Sequence, residues 1–280
     1  MHISQIMHEI VSPKITSVKD LERILKAEHT KKGDKFLYKF KLDQDVFEQA
    51  IKGKETFEVP KDMFLKLNVR GKQKVNLQIG EGAVFEAPKA IFQKTVTRGE
   101  KTLIGLVDGD LYSSGSGITK TKGVKGDAVS SEKAIQKNGV VVKNAYAFGE
   151  SQQENGKVYE NAETGGKAIQ TSKGIRGNAT SKGESIQRAA AVRGNVVCDD
   201  NSKQAFEIVG GSATVTAHGV QNLGLVQKEA LCEFSGTQNI VGLGEKATCT
   251  GYGDQRISEL YGTSEKTEDS IQEILERVAQ

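Results

Sequence analysis

Apolar and polar positions over most of this chain recur every 17 residues. One aliphatic column reads Val107, Val124, Val141, Val158, Ile175, Val192, Val209, Val226, Leu243 and Leu260. Four positions further on comes a small-residue column, Ala128, Ala145, Ala162, Ala179, Val196, Ala213, Ala230 and Ala247. Five positions before the aliphatic column lies a polar one. It reads Gln136, Gln153, Gln170, Gln187, Gln204, Gln221, Gln238 and Gln255. Ten glutamines lie between Lys101 and Gln255 and eight of them occupy this register, so composition does not explain the column. A Gly-rich, β-branched unit of this length fits one coil of a parallel β-solenoid (β-helix) and no helical repeat.

Strand alternation then predicts which columns face inward. The column two positions before each glutamine is small throughout, from Gly117, Ala134 and Ser151 to Gly236 and Gly253. The glutamines fall on the same side of the strand as this column. Two positions after each glutamine the residue changes from Asn138 and Asn155 to Phe206, Leu223, Ile240 and Ile257, so the later coils have the more apolar interior. Coils stack about 4.8 Å apart, and ten of them rise roughly 45 Å. Stacked glutamines can then pair amide to amide, satisfying groups that are costly to bury alone. Asp127, Asn144, Asn161, Asn178 and Asn195 form a second polar column, expected at a corner because asparagine tolerates turn backbone.

The two ends depart from the repeat. Residues 1–62 read as a small α+β N-terminal cap. Ser17 and Asp20 open a helix to about Glu28, followed by a strand over Lys35–Leu42, a short helix over Asp45–Ile51 and a strand over Thr56–Val59. Residues 63–262 form the solenoid, regular from about residue 102. Between Met63 and Lys101 the apolar pieces recur without exact spacing, and 81–90 reads equally as strand or loop. In 263–280, Ser270-Ile271-Gln272 matches the repeat, yet Ile271, Ile274, Leu275 and Val278 stand at i, i+3, i+4 and i+7. The other columns are lost there, so this stretch is expected to be a C-terminal helix covering the last coil.

Composition narrows the function classes. Lys+Arg 39 against Asp+Glu 36 leaves a net charge of +3, which gives no bulk signal for nucleic acid. There is no 18-residue apolar run, so no membrane insertion is expected. Met1 to Ile15 has neither a basic n-region nor an apolar h-region, so the expected location is cytoplasmic, or exported without a recognisable signal peptide.

Chemistry is sparse. His218 is the one histidine in the repeat region and has no cysteine or carboxylate arrangement of a zinc site beside it. Asp108-Gly109-Asp110 and Asp199-Asp200 are the close acidic pairs a carbohydrate-active β-helix enzyme would need, but both read better as corners. Gly242-Leu243-Gly244 lacks the strand-to-helix context of a dinucleotide site. Thr214-Val215-Thr216 and Thr248-Cys249-Thr250 resemble the rows of ice-binding solenoids, but the same columns hold Tyr146, Phe148, Glu163 and Glu233. Cys198, Cys232 and Cys249 share one inward column and are expected to be free thiols packed as small hydrophobes.

No catalytic, cofactor-binding or metal-ligating set emerges. The coil length is close to that of bactofilin-like and hexapeptide-repeat solenoids, but neither pattern carries residues across. The expectation is a non-enzymatic β-solenoid serving as scaffold, spacer or protein-interaction surface, with a protein partner or self-association. The alternatives are a carbohydrate-active β-helix enzyme and a host-directed effector that binds a protein partner.

Overall fold

A computed structural model describes residues 17–20 and 39–278. Its strands, numbered β1 to β28 in chain order, form a parallel β-solenoid of about 13 turns, and a helix, α1 (Gln44–Ile51), follows β1. Long strands make a 15-stranded sheet and short strands a 13-stranded sheet. A representative coil carries a seven-residue strand, Ile186–Val192, then a three-residue strand, Val196–Cys198. Each long strand is in register with its equivalent in the next coil: Ile186 pairs Lys203, Gln187 pairs Gln204 and Val192 pairs Val209.

The predicted columns are inside. The aliphatic column from Val107 to Leu260, the alanine column from Ala128 to Ala247 and the eight glutamines are all buried.

Two features of the coil were not foreseen. The first is a bulge. Pairing between the long strands runs over residues one to four, skips the fifth, and resumes at the sixth, as in Ala189↔Phe206 followed by Ala191↔Ile208. The burial pattern is consequently not strictly alternating: residues two, four and seven are buried. The second is a corner that requires positive φ. Gly115, Glu132, Gly149, Gly166, Gly183, Asp200, Ala217, Phe234 and Gly251 all occupy it, with φ between 50° and 83°. That backbone disfavours any side chain bearing Cβ, yet four of the nine are not glycine.

At the N-terminal end the described part of the expected cap joins the sheets. β1 (Lys39–Asp43) pairs with β3 (Phe64–Asn68), and β2 (Thr56–Val59) pairs with β5 (Asn76–Ile79). Between β1 and β2, α1 buries Phe47 and Ala50 against the first coils. The Phe47 ring meets Phe57 edge-on at 5.0 Å and Phe92 at 6.4 Å. Residues 18–20 are helical, with the Asp20 N–H donating to Ser17 Oγ at 3.2 Å. The rest of the helix expected to Glu28, and residues 35–38 of the strand expected over Lys35–Leu42, lie outside the described residues, and the remainder of that strand is β1. The stretch 81–90 resolves into β6 (Val84–Phe92), whose register against the next strand shifts between Ala87 and Ile91.

The C-terminal helix is a correction. Residues 263–277 form two more strands, β27 (Thr263–Lys266) and β28 (Ile271–Arg277), and β28 pairs in register with the strand Asp254–Leu260. Gln272 takes the next rung, donating to Gln255 Oε1 at 2.7 Å. The placement of apolar residues in this last strand explains the misreading. They stand at its first, fourth and fifth positions and just beyond it, a spacing that imitates a helix face although Ile271 and Leu275 point outward. Ile271 and Leu275, assigned to the helix's apolar face, are 60% and 73% exposed.

Candidate functional site

The expected acidic pairs are engaged in structural contacts. Asp108 accepts from Lys72 Nζ and Lys125 Nζ, each at 2.5 Å. Lys125 and then Lys72 hold its carboxyl down, to about 2. Asp110 Oδ1 accepts the Asp127 backbone N–H at 2.9 Å. That bond begins the corner ladder: Asp127 Oδ1 accepts from Asn144 N at 3.1 Å, Asn161 Oδ1 from Asn178 N at 2.9 Å, and Asn195 Oδ1 from Ser212 N at 2.9 Å. Each side chain thus binds the backbone one coil further on. Asp199 Oδ1 accepts from Thr216 Oγ1 at 2.5 Å and from the Asp200 N–H at 2.8 Å, and these bonds, the hydroxyl first, lower its pKa. Asp200 occupies the positive-φ corner and accepts from Gly183 N at 3.2 Å.

The other sequence candidates stay apart. His218 is exposed. Gly242 and Leu243 end a strand, and no helix follows them. Among the described residues no group of three or more His, Cys, Asp or Glu could hold a metal ion, and no helix is long and apolar enough to cross a membrane. The three cysteines are free and fully buried. Their Sγ–H groups donate to the carbonyls of Ser202, Gly236 and Gly253 at 3.1, 3.1 and 3.2 Å. Burial pushes the Cys198 thiol up, and the contact with Cys249 together with burial does the same to Cys232.

What the structure adds is a groove on the long-strand sheet. Its floor is the column that turns apolar in the later coils: Phe206, Leu223, Ile240 and Ile257. Asn222, Asn239 and Arg256 line one side, with Asn239 Nδ2 donating to Asn222 Oδ1 at 2.9 Å. Glu207, Gly224, Val241 and Ser258 line the other, and Val241 is 60% exposed. This stretch encloses about 640 Å³. It continues over Ser172 and Ala189 as a shallower stretch of about 390 Å³. The groove runs over the third, fourth and fifth residues of each long strand, up to the residue at which pairing is interrupted. The apolar floor was legible as a buried column; the groove over it was not.

No protein-family model matches the chain, and no curated protein or solved structure matches it.

Proposed function

We propose that this chain is a non-enzymatic β-solenoid that presents a protein-interaction surface, and that the surface is the groove of the later coils. The observation that carries this reading is the continuous aliphatic floor of Leu223, Ile240 and Ile257 beside exposed Val241. From Ser172 to Ile257 the floor column spans five coil steps, roughly 24 Å. Such a length suits an extended polymer better than a compact ligand. An aliphatic floor, aromatic only at Phe206, favours polypeptide side chains over sugar rings. The asparagine amides along one side can meet the backbone groups of an extended peptide.

Supporting the non-enzymatic half of the reading, Asp108, Asp110, Asp199 and Asp200 are committed to lysines, hydroxyls and backbone N–H groups. The test places a photo-crosslinking residue at Asn239 in native lysate. A discrete protein adduct is expected, lost on Val241→Glu and not formed from the same crosslinker at His218. An adduct indifferent to Val241→Glu overturns the groove reading. Turnover of any polysaccharide that is lost on changing Asp108, Asp110, Asp199 or Asp200 overturns the non-enzymatic one.

A further inference from the structure

The groove lies on the long-strand sheet, and the short strands carry an aromatic patch of their own. In the coil of β13 (Ala145–Ala147), Asn144, Tyr146 and Phe148 face outward, alternating with the buried Ala145 and Ala147. In register with Tyr146 stand Val129 in β11 (Ala128–Ser130), Tyr112 in β9 (Leu111–Ser113) and Val96 in β7 (Thr95–Thr97). Val96, Tyr112 and Phe148 are exposed. The Tyr146 and Phe148 rings are stacked, 18° from parallel with their centroids 6.1 Å apart. Beyond Tyr146 the same column turns polar, at Glu163 and then Thr180.

Two other tyrosines of this chain already carry a cation. Lys94 Nζ lies 4.9 Å from the centre of the Tyr112 ring, and the Arg176 guanidinium carbon lies 4.1 Å from the centre of the Tyr159 ring. Tyr146 carries none among the described residues, although three carboxylates stand around it. Burial pushes its phenol up, and the charges of Asp127, Glu163 and Glu160 push it further. Asp127 commits Oδ1 to the N–H groups of Asn144, and its Oδ2 accepts nothing among the described residues. Glu160 and Glu163 form no ion pair among the described residues. The ring stack and its carboxylates thus form an aromatic, negatively charged place whose cation this chain does not supply there.

We propose that Tyr146 and Phe148, with Asp127, Glu160 and Glu163, bind an arginine side chain of a basic partner polypeptide. The planar guanidinium stacks on an aromatic face, as that of Arg176 does on Tyr159, while its N–H groups meet the carboxylates beside the ring. Val129, one coil back in the same column, gives the apolar stem of the arginine a surface to lie on. The site is confined to this coil and its neighbours, because Lys94 already covers the Tyr112 ring. The inference does not rest on the groove, which occupies the other sheet.

The probe is a fluorescein-labelled peptide of alternating glycine and arginine, titrated with the full chain at about 0.15 M salt so that distant charges are screened. Saturable fluorescence anisotropy is expected. A peptide with citrulline in place of arginine, which keeps the shape and loses the charge, should not bind. Tyr146→Leu and Glu163→Lys should each weaken binding about tenfold, with circular dichroism reporting the retained solenoid. Glu229→Lys makes the same change of charge in the column of Asp127, on a distant coil of the same sheet, and should leave binding as it was. If Tyr146→Leu fails to fold, the comparison of Glu163→Lys with Glu229→Lys decides alone. Absence of binding, equal losses from those two lysine variants, or equal binding of the citrulline peptide overturns the proposal. So does a concentration-dependent dimer without peptide that Glu163→Lys abolishes, since the site would then take a second copy of this chain.

Discussion

Gln187 donates one amide hydrogen to Gln170 Oε1 at 2.8 Å and the other to the backbone carbonyl of Ala162 at 3.0 Å. The first bond runs along the solenoid axis to the neighbouring coil. The second crosses the interior from the long-strand sheet to the short-strand sheet. A single buried carboxamide therefore ties coils together and holds the two sheets at a fixed separation. Changing Gln187 to Leu takes one donor from the Ala162 carbonyl and one from Gln170 Oε1, which keeps Thr164 Oγ1 at 3.2 Å. It also takes one acceptor from Gln204 Nε2, which keeps the Ala179 and Val197 carbonyls. Each hydrogen bond lost costs about 0.5–1.5 kcal/mol, partly offset by the apolar gain. A clear fall in melting temperature is expected, and an unchanged value would mean that the ladder contributes nothing.

The positive-φ corner gives a prediction of opposite sign. Ala217 sits there with φ 50°. Replacing it with Gly relieves a strain of about 1–2 kcal/mol and adds back about 0.5–1 kcal/mol of backbone entropy. Ala217→Gly should therefore stabilise slightly. Gly183→Ala should destabilise, since it adds the same strain and sets a Cβ 3.0 Å from Gly166 O. Denaturant midpoints of the two variants check both signs.

This corner also shows where legibility stops. The glutamine, aliphatic and alanine columns could be read because one chemistry fills each of them. The corner is a backbone requirement met by Gly183, Asp200, Ala217 and Phe234 alike, so no residue type marks it. The bulge is likewise a property of pairing rather than of composition. The exposed apolar residues Ile271 and Leu275, together with Ile274, imitated a helix face, although Gln272 already belonged to the ladder. The groove differs: Phe206, Leu223, Ile240 and Ile257 read as interior and are buried, and only the depression over them had no mark in the sequence.

Asp108 predicts a pH dependence. Its carboxyl, held by Lys125 and Lys72, falls from an ordinary value of 3.8 to about 2. A depressed folded-state pKa means that the stability it contributes is fully present above about 4. That contribution is lost as pH falls towards 2. Asp108→Asn should therefore melt below the parent chain at pH 6. The gap should close in acid and narrow with added salt, because both lysines are largely exposed.

The thiols supply the fourth test. Cys198, Cys232 and Cys249 are fully buried, and each donates to a carbonyl of its own turn. Labelling with a maleimide should be slow for all three in the native chain and complete after unfolding. Rapid native labelling of any one of them would place its side chain outside.

Because each rung grips the coil 17 residues before it, the rod has a natural unit of insertion and deletion. Excising 17 consecutive residues from the middle coils would bring Gln to Gln and Asn to Asn across the junction. The product would be about 4.8 Å shorter, with both sheets and both ladders closed. Excising one residue more or fewer would turn every later inward side chain toward solvent. The length of this molecule can therefore change in whole steps while its cross-section stays the same, a built-in ruler whose graduations are the glutamines.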